Sequence, residues 1–299
     1  MDDRTPNITA PHETVARSQG PRFLSRLRSD NPKLNGYLFI ATCVTTFLTG
    51  YAGKASWQDG LWYSGGIMSI LIAHEMGHYL MCRRYKIKAT LPYFLPFIPA
   101  FNPFGTLGAV IKMESVIPNR KALFDVAVAG PLAGLALTIP ALYFGIQFSE
   151  VVEVSTINSS GVWYLGESLL YTKISDWAVG ALPENKDILL HPLAFAGWAG
   201  LFVTALNLLP IGQLDGGHVI YALVGRNHGF VAKAALVAFG YIAIFQYRGW
   251  ALFLILLIWF GHRHPPTLDE TPVDRKRKII GVLTMIVFFL SFTPEPFKF

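Results

Sequence analysis

The chain has 299 residues, of which 52% are hydrophobic, 14% are aromatic and only 15% are charged. This composition excludes a disordered protein and argues against an ordinary soluble one, because the few charges gather in tails and short loops between long apolar stretches. We therefore predict an all-α polytopic protein embedded in a lipid bilayer. The net charge of +6 does not indicate a nucleic-acid partner, since the basic residues flank apolar segments and form no groove with interleaved aromatic residues.

The N-terminal segment differs from the rest of the chain. Residues 1–35 carry scattered charges, several prolines and no apolar run. Such a segment buries too little apolar surface to offset the entropy of folding, so we expect a disordered cytoplasmic tail. We expect the membrane domain over residues 36–292, with its core motifs in 61–223, an extracytosolic loop at 149–190 and a short tail at 293–299.

Apolar stretches predict about six transmembrane helices. Several stretches are shorter than the roughly 20 residues of a simple span, so six or seven crossings fit the pattern, and the shorter ones can be tilted or re-entrant. In chain order, the stretches are 36–53, 61–82, 123–148, 192–223, 230–246, 250–261 and 278–292.

The distribution of lysine and arginine predicts the orientation in the membrane. Basic residues cluster before the first, third and last spans and after the second, whereas the 149–190 loop contains only Lys173 and Lys186. Because cytoplasmic loops are enriched in these residues, we expect the N-terminus in the cytoplasm and the 149–190 loop on the other side. The short loops favour a bacterial cytoplasmic membrane.

A proline-rich connection separates the second and third spans. Prolines punctuate residues 92–103, and strand-forming residues follow at 106–111. This pattern predicts a loop followed by a short membrane-associated β hairpin or strand.

Two histidines four residues apart lie in an apolar segment. Residues 70–80 read Ile-Leu-Ile-Ala-His-Glu-Met-Gly-His-Tyr-Leu and include His74, Glu75 and His78. Helical residues at i and i+4 share a face, so both imidazoles can bind one metal ion beside Glu75 as a base. Neutral imidazoles with one more protein ligand suit zinc and leave a position for water. The alternative is a hydrogen-bonded core pair, but ionisable groups at membrane depth usually line a wet cavity.

A second polar segment offers the missing ligand. Residues 207–218 read Asn-Leu-Leu-Pro-Ile-Gly-Gln-Leu-Asp-Gly-Gly-His and contain Asp215. Pro210 lacks a backbone donor and the Gly216-Gly217 pair loosens a helix, so a carboxylate and unpaired backbone groups meet inside an apolar stretch. We predict Asp215 as the third metal ligand, with a helix cap at the interface as the alternative.

The two motifs together resemble the site-2 protease family of intramembrane zinc metalloproteases. That family pairs a His-Glu-x-x-His helix with a later Asn-x-x-Pro-x-x-x-x-Asp-Gly segment, and both patterns are present here. The resemblance extends over about residues 60–225, since segments 92–96, 104–109 and 130–134 are also similar to the family. The 149–190 loop is too short for the PDZ domain that some branches carry, which indicates the compact branch.

The resemblance implies one zinc ion held by His74, His78 and Asp215, with water activated by Glu75 and the scissile peptide stabilised or oriented by Asn207. It further implies peptide hydrolysis within or near transmembrane helices, in regulated intramembrane proteolysis of single-pass membrane proteins.

A helical substrate must unwind before it is cleaved. We propose that it is held by strand addition at residues 106–113, with an ordinary hairpin as the alternative. Two other functions stay open: a hydrolase of lipidated tails, and a polytopic metal-binding transporter or sensor without protease activity.

Other motif residues receive structural interpretations. The small residues Gly130 and Gly134 predict close helix packing. We interpret His191 and His218 as interfacial or packed residues, and His262 and His264 as interfacial basic groups.

Overall fold

The computed structural model describes residues 31–114, 116–156, 164–261 and 264–298, and most of these residues are helical. The predicted tail therefore lies largely outside the described residues. The helices are α1 (Pro32–Lys54), α2 (Trp57–Arg84), α3 (Arg120–Gln147), α4 (Leu169–Val179), α5 (Pro192–Asn207), α6 (Asp215–Val224), α7 (His228–Tyr241), α8 (Ala251–Phe260) and α9 (Arg275–Ser291).

The helix boundaries follow local capping chemistry. Asn31 accepts a hydrogen bond from the Leu34 N–H and Pro32 occupies the first turn, so α1 begins at Pro32, inside the segment predicted as tail. Ser56 caps α2 in the same way, and Asn119 accepts from the Ala122 N–H at the start of α3. These caps satisfy backbone donors that have no partner within the helix.

Helices α2, α3 and α5 pack around one core, which contains Tyr63, Leu142 and Trp198 among its buried side chains. Small residues let the helices approach closely. A Cβ on Gly197 of α5 would lie 2.7 Å from the backbone nitrogen of Leu142 on α3, so this position excludes any larger residue. This close packing holds the three helices in a fixed relation to one another.

The described residues also form three small antiparallel sheets. Strand β1 (Tyr93–Pro96) pairs with β2 (Thr106–Val110), with Tyr93 opposite Val110 and Phe94 opposite Ala109. This hairpin contains the strand that the sequence predicts. On the 149–190 loop, β3 (Glu150–Glu153) pairs with β5 (Lys186–Leu189), and β4 (Tyr164–Leu165) pairs with β6 (Phe297–Lys298). The segment predicted as a short tail at 293–299 thus contributes a strand.

The apolar stretch 192–223 differs from a single span. It forms two helices, α5 and α6, with a break at residues 208–214. The break contains Pro210, which cannot donate a helical hydrogen bond, and Gly212 with a φ of +58°, a left-handed conformation that favours glycine.

Two helical segments within the described ranges are long and apolar enough to cross a membrane, judged by length and composition. They are Arg120–Gln147 and Asp215–Gln246. Shorter apolar helices occupy Pro192–Asn207 and Arg248–Trp259. Length and composition therefore identify two spanning segments in the described ranges, fewer than the six or so that the sequence predicts.

Candidate metal centre

The His-Glu-x-x-His segment lies in the C-terminal half of α2. His74, Glu75 and His78 are all buried, and the two imidazole Nε2 atoms are 3.1 Å apart. The helical spacing of four residues places both rings on one face, as expected.

The break between α5 and α6 brings the second motif to the same place. Asn207 is the last residue of α5 and Asp215 the first residue of α6. Gly216 allows this return of the chain, because a Cβ there would overlap the carbonyl of Leu208. Leu214 occupies the cap position, so Asp215 is part of the first helical turn rather than the cap.

The three predicted ligands form a compact triangle. The Asp215 Oδ2 atom lies 3.3 Å from His74 Nε2 and 3.3 Å from His78 Nε2. Tetrahedral zinc with bonds of about 2.0–2.1 Å separates its ligand atoms by about 3.3 Å, so the triangle has the dimensions of a zinc site. In the part of the chain that the structure describes, this is the one group of histidine, cysteine and carboxylate side chains close enough to share a metal ion.

Hydrogen bonding shows why a cation fits between these atoms. His78 Nδ1 lies 2.8 Å from the carbonyl oxygen of Val126, which can only accept, so this nitrogen carries the ring proton. The His78 Nε2 atom therefore presents a lone pair to His74 Nε2 and to the Asp215 oxygen. A buried cluster of acceptor atoms repels itself unless a cation neutralises it, and a bound metal ion would provide that charge.

Two further groups border the triangle. The Asn207 Nδ2 atom lies 3.4 Å from His74 Nε2. The backbone N–H of Ile111, the residue after β2, faces the Glu75 carboxylate. The structure thus brings together all five predicted site residues and adds a backbone contact that the sequence does not reveal.

Helix α3 packs directly against the histidines. A Cβ on Gly130 would overlap the His78 imidazole, and one on Gly134 would lie 3.3 Å from the Cβ of His74. The sequence predicts that these glycines allow close helix packing, and the helix they admit is α2, which carries two of the three candidate ligands.

Three other histidines that the structure describes, His191, His218 and His264, are packed against neighbouring side chains. His191 accepts from the Leu193 N–H at the start of α5, and its ring contacts Phe148. His218 is buried, and its Nδ1 lies 2.5 Å from Nε2 of His264. Burial lowers the pKa of His264 to about 4, so the interpretation of this residue as an interfacial basic group is wrong. His262 lies outside the described residues.

Comparison with known proteins yields one family and several plant relatives. Residues 62–246 match the model of peptidase family M50. The chain is 32% identical over 248 residues to a probable zinc metalloprotease EGY1, chloroplastic, of Arabidopsis thaliana, a match covering 77% of this chain and 42% of the relative. It is 31% identical over 249 residues to a probable zinc metalloprotease EGY2, chloroplastic, of the same plant, covering 81% and 43%.

A rice relative, a probable zinc metalloprotease EGY1, chloroplastic, of Oryza sativa subsp. japonica, is 31% identical over 240 residues, covering 77% of this chain and 40% of the relative. The chain thus spans less than half the length of these curated relatives. The family match covers more than half of the chain and includes both motifs that form the metal triangle. The chain belongs to peptidase family M50, the site-2 protease family.

Proposed function

We propose that this protein is an intramembrane zinc metalloendopeptidase that cleaves transmembrane protein substrates. The observation that carries the proposal is the triangle of His74, His78 and Asp215 with Glu75 beside it, in a chain of the M50 family. Two imidazoles and one carboxylate oxygen would supply three zinc ligands, and catalytic zinc sites typically combine three protein ligands with one water.

Each residue has a distinct role in the proposed reaction. A zinc ion held by His74, His78 and Asp215 would lower the pKa of a coordinated water and would polarise the scissile carbonyl. Glu75 accepts the proton of the attacking water and returns it to the leaving amine. Asn207 directs its amide donor into the site, where it stabilises the developing oxyanion or orients the substrate backbone.

The direction of the backbone N–H groups in the hairpin β1–β2 supports a role of this hairpin as a substrate clamp. Successive backbone N–H groups on a strand point to opposite sides, and Lys112 directs its N–H toward the β1 side, to Thr90 Oγ1 at 3.1 Å. The N–H of Ile111 points the other way, to Glu75, and that of Ala109 is on the same side by this alternation. An unwound substrate added as a strand along this edge would pair with Ala109 and end next to the catalytic base.

The membrane setting follows from family membership and surface chemistry. M50 proteins are membrane-embedded, and the later helices expose large apolar side chains that suit lipid. Examples are Phe230, Val237, Leu252, Ile255 and Phe289. We propose about six spans and a cytoplasmic N-terminus in a bacterial cytoplasmic membrane. We propose single-pass membrane proteins as substrates, because a clamp acting on one unwound helix requires a helix free of tight neighbours.

The proposal is tested with purified protein in lipid vesicles that contain a panel of single-pass reporter proteins. Wild type and Glu75→Gln are compared for reporter cleavage and for bound zinc. We expect zinc in both proteins and cleavage by wild type alone, since glutamine cannot accept the proton of water. Equal cleavage by the two proteins would contradict the assigned role of Glu75, and zinc in both without any cleavage would favour the transporter or sensor function.

A further inference from the structure

One arginine in the basic run before the last span differs from its neighbours. Residues 275–278 read Arg-Lys-Arg-Lys, and the side chains of Arg275, Lys276 and Lys278 are exposed. The Arg277 side chain is only 26% exposed and turns inward toward α3. A charge that serves only to orient a span in the membrane has no need of an inward position, so Arg277 calls for a specific explanation.

Arg277 forms a two-point contact with Asp125 on α3. Its Nε donates to Asp125 Oδ1 at 2.8 Å, and its Nη2 donates to Oδ2 at 2.6 Å. The Tyr85 hydroxyl donates to the same Oδ2 at 2.5 Å. Arg277 also contacts Asp274, the cap of its own helix. Paired N–H groups on one carboxylate fix both distance and orientation, which a single contact does not.

This network borders the helix contact that orients a candidate zinc ligand. Tyr85 follows His78 by seven residues, two helical turns, and so lies on the same side of α2. Asp125 directly precedes Val126, whose carbonyl accepts the His78 Nδ1 proton at 2.8 Å. Just beyond the His78–Val126 contact, α2 and α3 again pack closely, since a Cβ on Gly77 would overlap the carbonyl of Ala129. A sliding of α3 along α2 would therefore move the acceptor that aims His78.

We propose that Arg277 is a positioning residue of the metal centre, because it locks Asp125 and Tyr85 together and so fixes the helix contact that aims His78 at the metal. The inference rests on the proposed zinc site. Arg277 touches neither the metal position nor substrate and acts through Asp125, Tyr85 and the Val126 carbonyl. Groups that orient a metal-bound histidine through its second nitrogen commonly control metal affinity.

The test measures the zinc affinity of the full chain in lipid vesicles by competition with a chelator of known affinity. The variants are Arg277→Gln, Arg277→Lys and the milder Tyr85→Phe, with Lys276→Gln as the matched control from the same turn. Helical circular dichroism and elution volume establish that each variant is folded. His78→Ala measures the affinity that remains without the site.

We expect Arg277→Gln to weaken zinc binding about tenfold and Lys276→Gln to leave it unchanged. Arg277→Lys should lose less zinc affinity than Arg277→Gln, because lysine keeps the charge but lacks the paired donors. Tyr85→Phe gives a smaller loss, and it decides the question if Arg277→Gln does not fold. If folded Arg277→Gln binds zinc as tightly as wild type, the inference is wrong and the zinc site is unaffected. The same conclusion holds for Tyr85→Phe if Arg277→Gln does not fold. Wild type no tighter than His78→Ala would overturn both the zinc site and the inference.

Discussion

At the scale of single residues, the site depends on one position that has no side chain. Gly130 faces the His78 imidazole so closely that any Cβ would overlap the ring. The ring would then lose either its contact with Val126 or its aim at the metal. The helix α3 is close to the ligands because this residue is glycine.

We predict that Gly130→Ala weakens zinc binding by about tenfold or more, since it displaces a ligand and not merely a neighbour of one. Gly65→Ala is the matched control, because Gly65 lies on α2 with no atom within 4 Å of an added Cβ. Bound zinc, measured by atomic emission on purified protein, distinguishes the two. Full zinc occupancy in Gly130→Ala at limiting zinc would show that the ring tolerates the methyl group.

The sequence predicts the five residues that meet at the site but not the contacts that support them. His74 and His78 follow from helical spacing, and Asp215 follows from a carboxylate in an apolar stretch. The Val126 carbonyl and the Ile111 N–H carry no residue-specific signal, because every residue has these groups and only tertiary packing selects them. Arg277 looks like its basic neighbours in the sequence, and only its inward direction separates it from them.

At the scale of elements, the break between α5 and α6 and the hairpin β1–β2 give the site its shape. The break returns the chain so that Asn207 and Asp215 reach one metal position from two helices. Among the described residues β2 pairs with β1 alone, and the hairpin brings the other edge of β2 near Glu75. Proline, glycine and strand-forming residues predict both features, whereas their meeting at α2 depends on the packing of the whole helix core.

We predict that Ala109→Pro lowers reporter cleavage about tenfold with zinc binding unchanged, because proline removes one backbone donor of about 0.5–1.5 kcal/mol from the free edge of β2. Ala109→Gly keeps that donor and is the matched control, expected to cleave as wild type does. Cleavage rates and bound zinc are measured on the same vesicle samples. Equal rates for the proline and glycine variants would remove the clamp from the mechanism.

At the scale of the whole molecule, the proposed orientation in the membrane rests on the distribution of charge. The Tyr85–Asp125–Arg277 network joins the ends of α2, α3 and α9, so the basic residues around those ends share one side of the molecule. The α4 helix lies in the 149–190 loop, which is poor in basic residues, and exposes Lys173 there. The sequence predicts this asymmetry directly, because the positive-inside rule depends only on residue type and position.

We predict that single cysteines placed at Arg84 and Lys276 react with a membrane-impermeant thiol reagent from the cytoplasmic side, and that one at Lys173 reacts from the opposite side. The native Cys43 and Cys82 are first replaced by alanine to remove background labelling. Labelling is measured in intact cells and in inverted vesicles. Reaction of positions 84 and 173 from the same side would contradict the proposed orientation.

The central claim is that His74, His78 and Asp215 hold one zinc ion with water as the fourth ligand. Zinc K-edge X-ray absorption of the purified full chain measures this most directly. We predict four ligands at about 2.0–2.1 Å, two of them imidazoles and the others oxygen, with no sulfur contribution. Bound zinc with sulfur ligands, or a spectrum unchanged in Asp215→Ala, would contradict the assignment.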